Sequence, residues 1–184
     1  MTKRRASYCP YCGTALETKG FEGRDRRFCP ECREFVFQNP TPGGHVVVLD
    51  GDAALLIERG IEPDLGAWAV PGGILEVDEP AALGAARELE EEAGLSVDPG
   101  ALELVRTGLD VDDPDDGSYL SITFAVERAD TAGTVRPGPE TTDARFWSFA
   151  DLRDGGVLTR SVDCRRIEAA VERLRGERVQ FTAE

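Results

Sequence analysis

The sequence predicts a layered α/β/α sandwich with a mixed sheet, preceded by a small zinc ribbon. Three observations predict this fold class. Two C-x-x-C units lie near the N-terminus, strand-like and helix-like segments alternate after residue 40, and one helix carries a single apolar stripe that must face a sheet. With 184 residues, the chain is long enough for one full domain and a small module. We therefore expect a zinc ribbon at residues 1–39 and an α/β domain at residues 40–184.

Four of the five cysteines lie in the predicted ribbon. Cys9 and Cys12 form the first C-x-x-C unit and Cys29 and Cys32 form the second, with sixteen residues between the units. In a reducing cytoplasm, this pattern is typical of one tetrahedral zinc site, and the same reducing conditions disfavour the alternative of disulfides. Because four cysteines fill the coordination sphere, the zinc is expected to be structural and to supply folding energy that so short a segment lacks.

The α/β domain follows a linker, FQNPTPGG, which is rich in proline and glycine. Runs of β-branched and apolar residues predict strands at residues 45–50, 53–60, 67–73, 101–109 and 117–129. The first two strands are joined by a hairpin at Asp-Gly-Asp, and the last two are separated by an acidic loop at residues 110–116. Residues 144–152 give a final strand and turn, and residues 160–176 give an amphipathic C-terminal helix.

A helix is predicted for residues 79–94, with the sequence EPAALGAARELEEEAG. Asp78 is the expected N-cap, Pro80 lies in the first turn, and Gly94 ends the helix. At 100° per residue, the alanines and leucines of this segment form one apolar stripe that must face the sheet. The helix is therefore expected to lie against one face of the sheet.

The same helix carries an unusual concentration of carboxylates. Glu88, Glu91 and Glu92, at positions i, i+3 and i+4, share one flank, whereas Glu90 points to the other side. Oxygen ligands packed in this way suit a hard dication, Mg²⁺ or Mn²⁺, which binds phosphate readily. A metal-bridged phosphate beside a carboxylate-held water is the arrangement for substitution at phosphorus. For the acidic run alone, a solvated helix face is the alternative interpretation.

Residues 73–95 resemble the Nudix box. Gly73 is followed after five residues by Glu79, and after seven more by the run RELEEEAGL, so that all nine defined positions of the box match. The segments WAVPGG upstream and ARFWSFADL downstream are also similar to the Nudix domain, so the resemblance covers residues 41–175. It implies a Nudix α/β/α sandwich that hydrolyses a nucleoside diphosphate linked to another moiety, with Mg²⁺ or Mn²⁺ as cofactor.

The resemblance also implies roles for individual residues. Glu88, Glu91 and Glu92 would be metal ligands, and Glu88 would also be a candidate for orienting the water. Glu79 and Arg87 would form a supporting salt bridge.

Further candidates lie outside the helix. The carbonyl of Gly72 or Gly73 would add a ligand to the ion. The general base would come from the box or from Glu140 in the loop RPGPETTDARF, for which a solvated acid is the alternative. Arg59 and Tyr119 are candidates for contacting a phosphate or a base.

The substrate is expected to be ADP-ribose or a related dinucleotide. A zinc ribbon ahead of a Nudix domain resembles NADH pyrophosphatases, but a Ser-Gln-Pro-Trp-Pro-like run does not follow the box here. The proline that many ADP-ribose pyrophosphatases carry about sixteen residues past the box is also missing at that spacing, since Pro114 comes later. The alternatives are therefore an NADH pyrophosphatase, or a Nudix-fold nucleotide sensor whose ribbon binds a partner.

The charge of the chain limits the classes of partner. The net charge of −14 disfavours binding to nucleic acid, although residues 1–40 carry 8 basic against 5 acidic residues. The acidic surface, with only two lysines, is typical of a protein that is soluble in a salt-rich cytoplasm. Without an apolar signal or a membrane span in the sequence, we expect a cytoplasmic protein with no membrane partner. The ribbon is expected to be structural or to mediate self-association, which leaves a homodimer open.

Overall fold

The computed structural model describes residues 5–62, 64–113 and 117–181. These residues divide into two compact units. The smaller unit contains the described residues up to Thr41 and those of Leu109–Leu120, and the larger unit contains Pro42–Gly108 and the described residues from Ser121 onward. The sequence-based boundary between residues 39 and 40 stays a prediction.

The smaller unit contains a three-stranded antiparallel sheet formed by β1 (Glu17–Phe21), β2 (Arg24–Cys29) and β3 (Glu34–Val36). Its apolar core is very small, with Cys9, Leu16 and Cys29 as its buried members. So little buried apolar area stabilises a fold weakly. A structural metal is the usual remedy in a segment of this size.

The remaining strands belong mainly to one sheet. Its members are β4 (Thr41–Asp50), β5 (Ala53–Arg59), β6 (Trp68–Ala69), β7 (Gly72–Ile74), β9 (Glu103–Asp113), β10 (Gly117–Glu127) and β12 (Thr141–Ser148). The strand order is β12-β5-β4-β10-β9, with β6 paired to β5 and β7 paired to β4. The short strands β8 (Leu95–Val97) and β11 (Thr131–Gly133) form a separate antiparallel pair. Strand β4 therefore lies at the centre of the sheet, and the glycines of the Pro-Gly-Gly turn, in β7, pair with it.

In the described parts of the chain, three α-helices flank the sheet: α1 (Ala81–Ala93), α2 (Phe149–Arg153) and α3 (Ser161–Arg175). Successive residues of β4 point to opposite faces, as in any strand. Val46 and Val48 pack in one apolar cluster with Leu89 of α1, whereas Val47 packs in a second cluster with Ile167 of α3. The predicted α/β/α layering is therefore confirmed. Among the described residues, no helix has the length and hydropathy of a membrane span.

Two local predictions are wrong. Asp78 does not cap α1, because the helix begins at Ala81 with Pro80 as its N-cap, and Pro80 is extended, with φ −62° and ψ 147°. The residues before it form a turn instead, in which the Glu76 N–H donates to the Glu79 carboxylate at 2.9 Å. The acidic loop begins later than expected, because β9 continues as far as Asp113. The rest of that loop, residues 114–116, lies outside the described residues.

Candidate active site

Helix α1 presents its acidic flank beside the Pro-Gly-Gly turn. Ala85, Leu89 and Ala93 are fully buried against the sheet, which fixes the rotation of the helix about its axis. Gly94 ends the helix in the left-handed region, with φ 72°, and its N–H donates to the Glu90 carbonyl at 3.0 Å, as predicted for a glycine at this position. The carboxylates therefore lie on the last two turns of a helix that is held rigidly.

Arg87 is the centre of a network of ion pairs. Its Nη2 lies 2.8 Å from Glu79 Oε1 and its Nε 3.2 Å from Glu79 Oε2, so the pair is bidentate. Its Nη1 lies 2.8 Å from Glu88 Oε1 and 3.2 Å from Glu91 Oε2. Hydrogen bonds from Arg87 lower the pKa of Glu79 to about 2, and the same bonds raise the pKa of Arg87. One guanidinium thus ties the start of the helix to two of the three box glutamates.

Glu92 is held by a different partner. The Gly72 N–H donates to Glu92 Oε2 at 2.8 Å, which joins the end of the helix to the Pro-Gly-Gly turn. Burial raises the pKa of Glu92 to about 7, against the opposing effect of the Gly72 N–H. Burial also raises the pKa of Glu88, against the opposing hydrogen bond from Arg87. Glu88 and Glu92 are therefore the more buried of the box glutamates, whereas 57% of the Glu91 side chain is exposed.

The two glycines of the turn are required by close approaches. Gly72 has φ 153°, and a Cβ at this position would lie 2.3 Å from the Gly44 carbonyl oxygen and from His45 Nδ1. A Cβ on Gly73 would lie 2.6 Å from the carboxylate of Glu88. At Gly72 only glycine lets the turn come this close to the backbone of β4, whereas a Cβ at Gly73 would push the carboxylate of Glu88 away. The turn thus places backbone polar groups beside Glu88 and Glu92.

The three box glutamates are not as tightly clustered as the cysteines. In the part of the chain that the structure describes, the four ribbon cysteines are the only group of three or more metal-ligating side chains whose ligand atoms all lie within 4.8 Å of one another. Glu88 and Glu91 are drawn toward Arg87, while Glu92 is drawn toward Gly72. The donor set, all carboxylate and backbone oxygen, has the chemistry that a hard dication needs. The roles of Glu88, Glu91 and Glu92 as metal ligands stay a prediction.

Two further predicted residues, Arg59 and Glu140, lie close to Glu92. The negative charge of Glu140 raises the pKa of Glu92 and the positive charge of Arg59 lowers it, although burial is the larger cause. The backbone explains the proximity, because the Gly60 N–H donates to the Glu140 carbonyl at 2.9 Å and Thr141 of β12 pairs with Arg59 of β5. Tyr119 lies half-buried on β10, in the segment that groups with the smaller unit. The roles proposed for all three residues stay predictions.

A shallow cavity of about 600 Å³ borders the acidic flank. Its lining residues are Arg87, Glu90, Glu91, Arg136, Pro137, Gly138 and Pro139. Arg136 and the residues after it belong to the loop between β11 and β12, which also carries Glu140. The sequence analysis missed this loop as a wall of the site, apart from Glu140. The sequence carries no local signal for it, since the loop meets the end of α1 from more than forty residues away.

The cysteines of the smaller unit have the geometry of a zinc site. Cys9 Sγ lies 3.9 Å from Cys32 Sγ, Cys12 Sγ lies 3.5 Å from Cys29 Sγ, and none of the four forms a disulfide. A tetrahedron with Zn–S bonds of about 2.3 Å has sulfur–sulfur edges of about 3.8 Å, which these distances match. A hydrogen bond to Thr14 is the main cause that lowers the pKa of the Cys12 thiol, to about 6. The four cysteines are therefore suited to hold a structural zinc ion, as the sequence predicts.

The profile of the NUDIX domain matches residues 39–162. The chain belongs to the Nudix family. This membership confirms the family that the box predicts. A MutT-like protein of Streptomyces ambofaciens is 45% identical over 53 residues, which are 29% of this chain and 32% of that protein. The chain thus matches about a third of the length of this relative. An ADP-ribose pyrophosphatase of Methanocaldococcus jannaschii is 26% identical over 117 residues, which are 64% of this chain and 67% of that protein.

Solved structures support the same fold. A NUDIX hydrolase from Nitrosomonas europaea superposes with a TM-score of 0.67 at 23% identity and covers 97% of both chains. The NUDIX domain of Shewanella oneidensis NrtR, crystallised with ADP-ribose, gives a TM-score of 0.63 at 21% identity, covering 80% of this chain and 94% of that one. The first match spans residues of both compact units, so the Nudix sandwich is confirmed.

Proposed function

We propose that this Nudix protein is a hydrolase that cleaves the pyrophosphate linkage of a nucleoside diphosphate derivative with the help of Mg²⁺ or Mn²⁺. ADP-ribose or a related dinucleotide is the proposed substrate class. The observation that carries the proposal is the arrangement of Glu88 and Glu92, one helical turn apart and half-buried, on either side of the Pro-Gly-Gly turn. Two acids in such surroundings, with oxygen donors only, suit a hard dication beside a diphosphate.

In the proposed reaction, a water oxygen attacks one phosphorus and the bond from that phosphorus to the bridging oxygen breaks. The two products are phosphate monoesters, and the proton of the water goes to a base on the protein. When bound, the dication supplies charge stabilisation at the phosphoryl oxygens and lowers the pKa of the water.

The residues of the chain position the reacting groups. Arg87 holds the carboxylate of Glu88 through its Nη1, while its bidentate bond to Glu79 prevents the guanidinium from rotating away. The Gly72 N–H orients one oxygen of Glu92, which leaves the other oxygen for a ligand. Glu140, near Glu92, is the proposed proton acceptor, and Arg59 on the neighbouring strand is proposed to contact a substrate phosphate.

The proposed substrate class rests on sequence similarity and on chemistry. The relative from Methanocaldococcus jannaschii is named an ADP-ribose pyrophosphatase, and the domain from Shewanella oneidensis holds ADP-ribose within the same fold. An NADH pyrophosphatase is the second candidate, because four cysteines with zinc-site geometry precede the Nudix domain here. Both activities break the same kind of bond, so only the substrate distinguishes them.

Glu92→Gln tests the proposed activity. This change keeps the size of the side chain but removes its charge, and kcat is expected to fall at least about 100-fold at saturating Mg²⁺. Glu172→Gln is the matched control, since Glu172 lies on α3, is exposed and pairs with the exposed Arg178, and it should keep wild-type kcat. Circular dichroism should show the same fold for both variants. Full turnover by the Glu92→Gln protein would reject the metal-ligand assignment.

A substrate panel separates the candidates. ADP-ribose, NADH and nucleoside triphosphates are incubated with the protein and Mg²⁺ at high and at low salt, and the release of mononucleotide or phosphate is measured. Preference for ADP-ribose supports the proposed substrate, and preference for NADH supports the second candidate. Binding of ADP-ribose without any hydrolysis would favour a nucleotide sensor instead.

A further inference from the structure

The loop that carries Glu140 also closes the C-terminal end of α1, and this contact suggests a role for a residue beside the site. We propose that Thr141 is a positioning residue, whose hydroxyl fixes the loop bearing Glu140 to the last turn of the helix bearing Glu92. The inference rests on the proposed function, because it concerns the alignment of two groups that the hydrolysis would use. Thr141 would act on the backbone of the site, whereas the glutamates of the box would act through their side chains.

The last carbonyls of α1 accept hydrogen bonds from this loop. A helix leaves its final four carbonyls without partners inside the helix. Here the Arg136 N–H donates to the Ala93 carbonyl at 3.1 Å, and the Gly138 N–H donates to the Glu92 carbonyl at 3.2 Å. The loop therefore serves as the cap of the helix, in addition to the bond made by Gly94.

The loop and the helix meet backbone to backbone. A Cβ on Gly138 would lie 1.9 Å from the Glu91 carbonyl oxygen, and a Cβ on Gly94 would lie 2.8 Å from the Thr134 carbonyl oxygen. No side chain fits at either position without moving one of the two segments. The sequence thus provides a glycine on each side of the contact, which keeps the distance between helix and loop short.

The hydroxyl of Thr141 secures this contact from the side. It accepts a hydrogen bond from the Gly138 N–H at 2.7 Å, and its own proton is within reach of the Glu92 carbonyl at 3.2 Å and the Gly138 carbonyl at 3.3 Å. Thr141 is buried, so water does not compete freely for these bonds. A single side chain thus connects the tip of the loop with the backbone of a proposed metal ligand.

The neighbouring residue Glu140 is held between these contacts. Its carbonyl accepts the Gly60 N–H at 2.9 Å, while Thr141 pairs with Arg59 at the beginning of β12. The backbone of Glu140 is therefore anchored to β5 on one side and, through Thr141, to α1 on the other. Loss of the hydroxyl would weaken the second anchor, leaving only the backbone bonds of Arg136 and Gly138 to α1, and would let the proposed base drift from Glu92. An error of about 1 Å in such an alignment costs up to about 100-fold in rate.

Three variants test the proposal. Thr141→Val keeps the shape of the side chain and removes the hydroxyl, and kcat is expected to fall about 10- to 100-fold with a smaller change in KM. Thr141→Ser restores the hydroxyl and should recover most of the activity. Thr142→Val is the matched control, because the hydroxyl of Thr142 is exposed and bonds to Glu58 instead, and it should leave kcat unchanged.

A double-mutant cycle separates positioning from general stability. If Thr141 acts through Glu140, Thr141→Val should cost little more once Glu140→Gln is present, because the aligned group has already been removed. A purely structural role would lower kcat by the same factor in both backgrounds and would overturn the proposal. If the wild type is active and Thr141→Val has the same kcat, the proposal is overturned as well.

Hydrogen exchange supplies a readout that does not depend on turnover. The Gly138 amide should exchange faster in Thr141→Val and at the wild-type rate in Thr142→Val, since only the first change removes the nearer of its two acceptors and leaves the longer bond to the Glu92 carbonyl. Unchanged exchange at Gly138 would contradict the proposed anchor even if the protein hydrolysed none of the tested nucleotides. If the protein hydrolyses none of the tested nucleotides, the proposed function is rejected, but the exchange rates still decide whether Thr141 fixes the loop.

Discussion

Replacing Gly73 by alanine tests whether activity depends on the distance between the Pro-Gly-Gly turn and Glu88. The new Cβ would lie 2.6 Å from the Glu88 carboxylate, whereas ordinary contacts begin at 3.4 Å. The carboxylate must therefore withdraw by about 0.8 Å, as the difference between these two distances gives. A displacement of this size in Glu88, a proposed metal ligand, is expected to lower kcat about 10- to 100-fold, which is about 1.4–2.7 kcal/mol of transition-state stabilisation.

Stability should respond much less than activity. Gly73 does not have a positive φ, so alanine can adopt its backbone conformation. The atoms that the new methyl group meets belong to the end of a flexible side chain, which can rotate at low cost. The free energy of unfolding is therefore expected to change by less than about 1 kcal/mol. A loss of activity with a preserved free energy of unfolding would separate the geometry of the site from the stability of the fold.

The assay compares kcat for ADP-ribose hydrolysis at saturating Mg²⁺ with urea unfolding of the same samples. Gly156→Ala is the control, because its Cβ would meet the Asp151 carbonyl oxygen at 3.5 Å, an ordinary contact, and it should keep both kcat and stability. If Gly73→Ala has the kcat of the wild type, the position of Glu88 next to the turn is not important for catalysis, and the reasoning from this contact fails.

Three other outcomes follow from the structure. Protein purified without added metal should contain about one zinc per chain by elemental analysis, and Cys29→Ser should lose it; a zinc-free wild type would contradict the ribbon site. The pKa of Glu79 is lowered from 4.5 to about 2, so its pair with Arg87 stabilises the fold above about pH 4.5 and stops doing so as the pH falls toward 2. The difference in urea stability between wild type and Glu79→Gln should therefore be constant from pH 7 to 5 and shrink below pH 4; a difference that grows in acid would contradict this. Asp163→Asn should lower the free energy of unfolding, measured with urea, by about 3–5 kcal/mol. The reason is that Asp163 lies 2.7 Å from the buried Arg166, and no other acid among the described residues is paired with that guanidinium. A loss below about 1 kcal/mol would show that the pair is dispensable.

The fold could be predicted largely from local patterns. The apolar stripe and Gly94 locate α1 to within a few residues, and the hairpin between β4 and β5 follows from its Asp-Gly-Asp turn. The pair β8 and β11 was missed because each strand has only three residues and its partner is more than thirty residues away. Asp78 was the wrong cap because a residue before a proline is disfavoured in the helical region, so Glu79 stays outside the helix, which begins two residues later than expected, at Ala81.

In the candidate active site, too, the local contacts could be predicted from the sequence and the long-range contacts could not. Helical spacing predicts the pair of Arg87 with Glu91, at i and i+4, whereas Glu79 precedes the helix and its pair with Arg87 is implied by the resemblance to the Nudix box. The contact between Thr141 and Glu92 spans 49 residues and depends on how a loop packs on the end of α1. Periodicity does not report such packing, and a threonine has no distinctive chemistry in a sequence. Glu140 was found only because its position resembles one used in the family.

The charge balance around α1 supports the proposed binding of a dication. The carboxylates of Glu79, Glu88 and Glu91 contact the guanidinium of Arg87, and Glu92 binds the Gly72 N–H beside them. When fully ionised, these four carboxylates and Arg87 have a net charge of about −3. The last turn of the helix has no basic residue, although the helix dipole adds about half a negative charge at this end. A diphosphate brought within about 4 Å of one unpaired carboxylate would be repelled by about 4 kcal/mol per charge pair at an effective dielectric constant of about 20. Since these carboxylates repel a diphosphate, the proposed substrate would be held by a dication that both sides share, together with the phosphate contact proposed for Arg59.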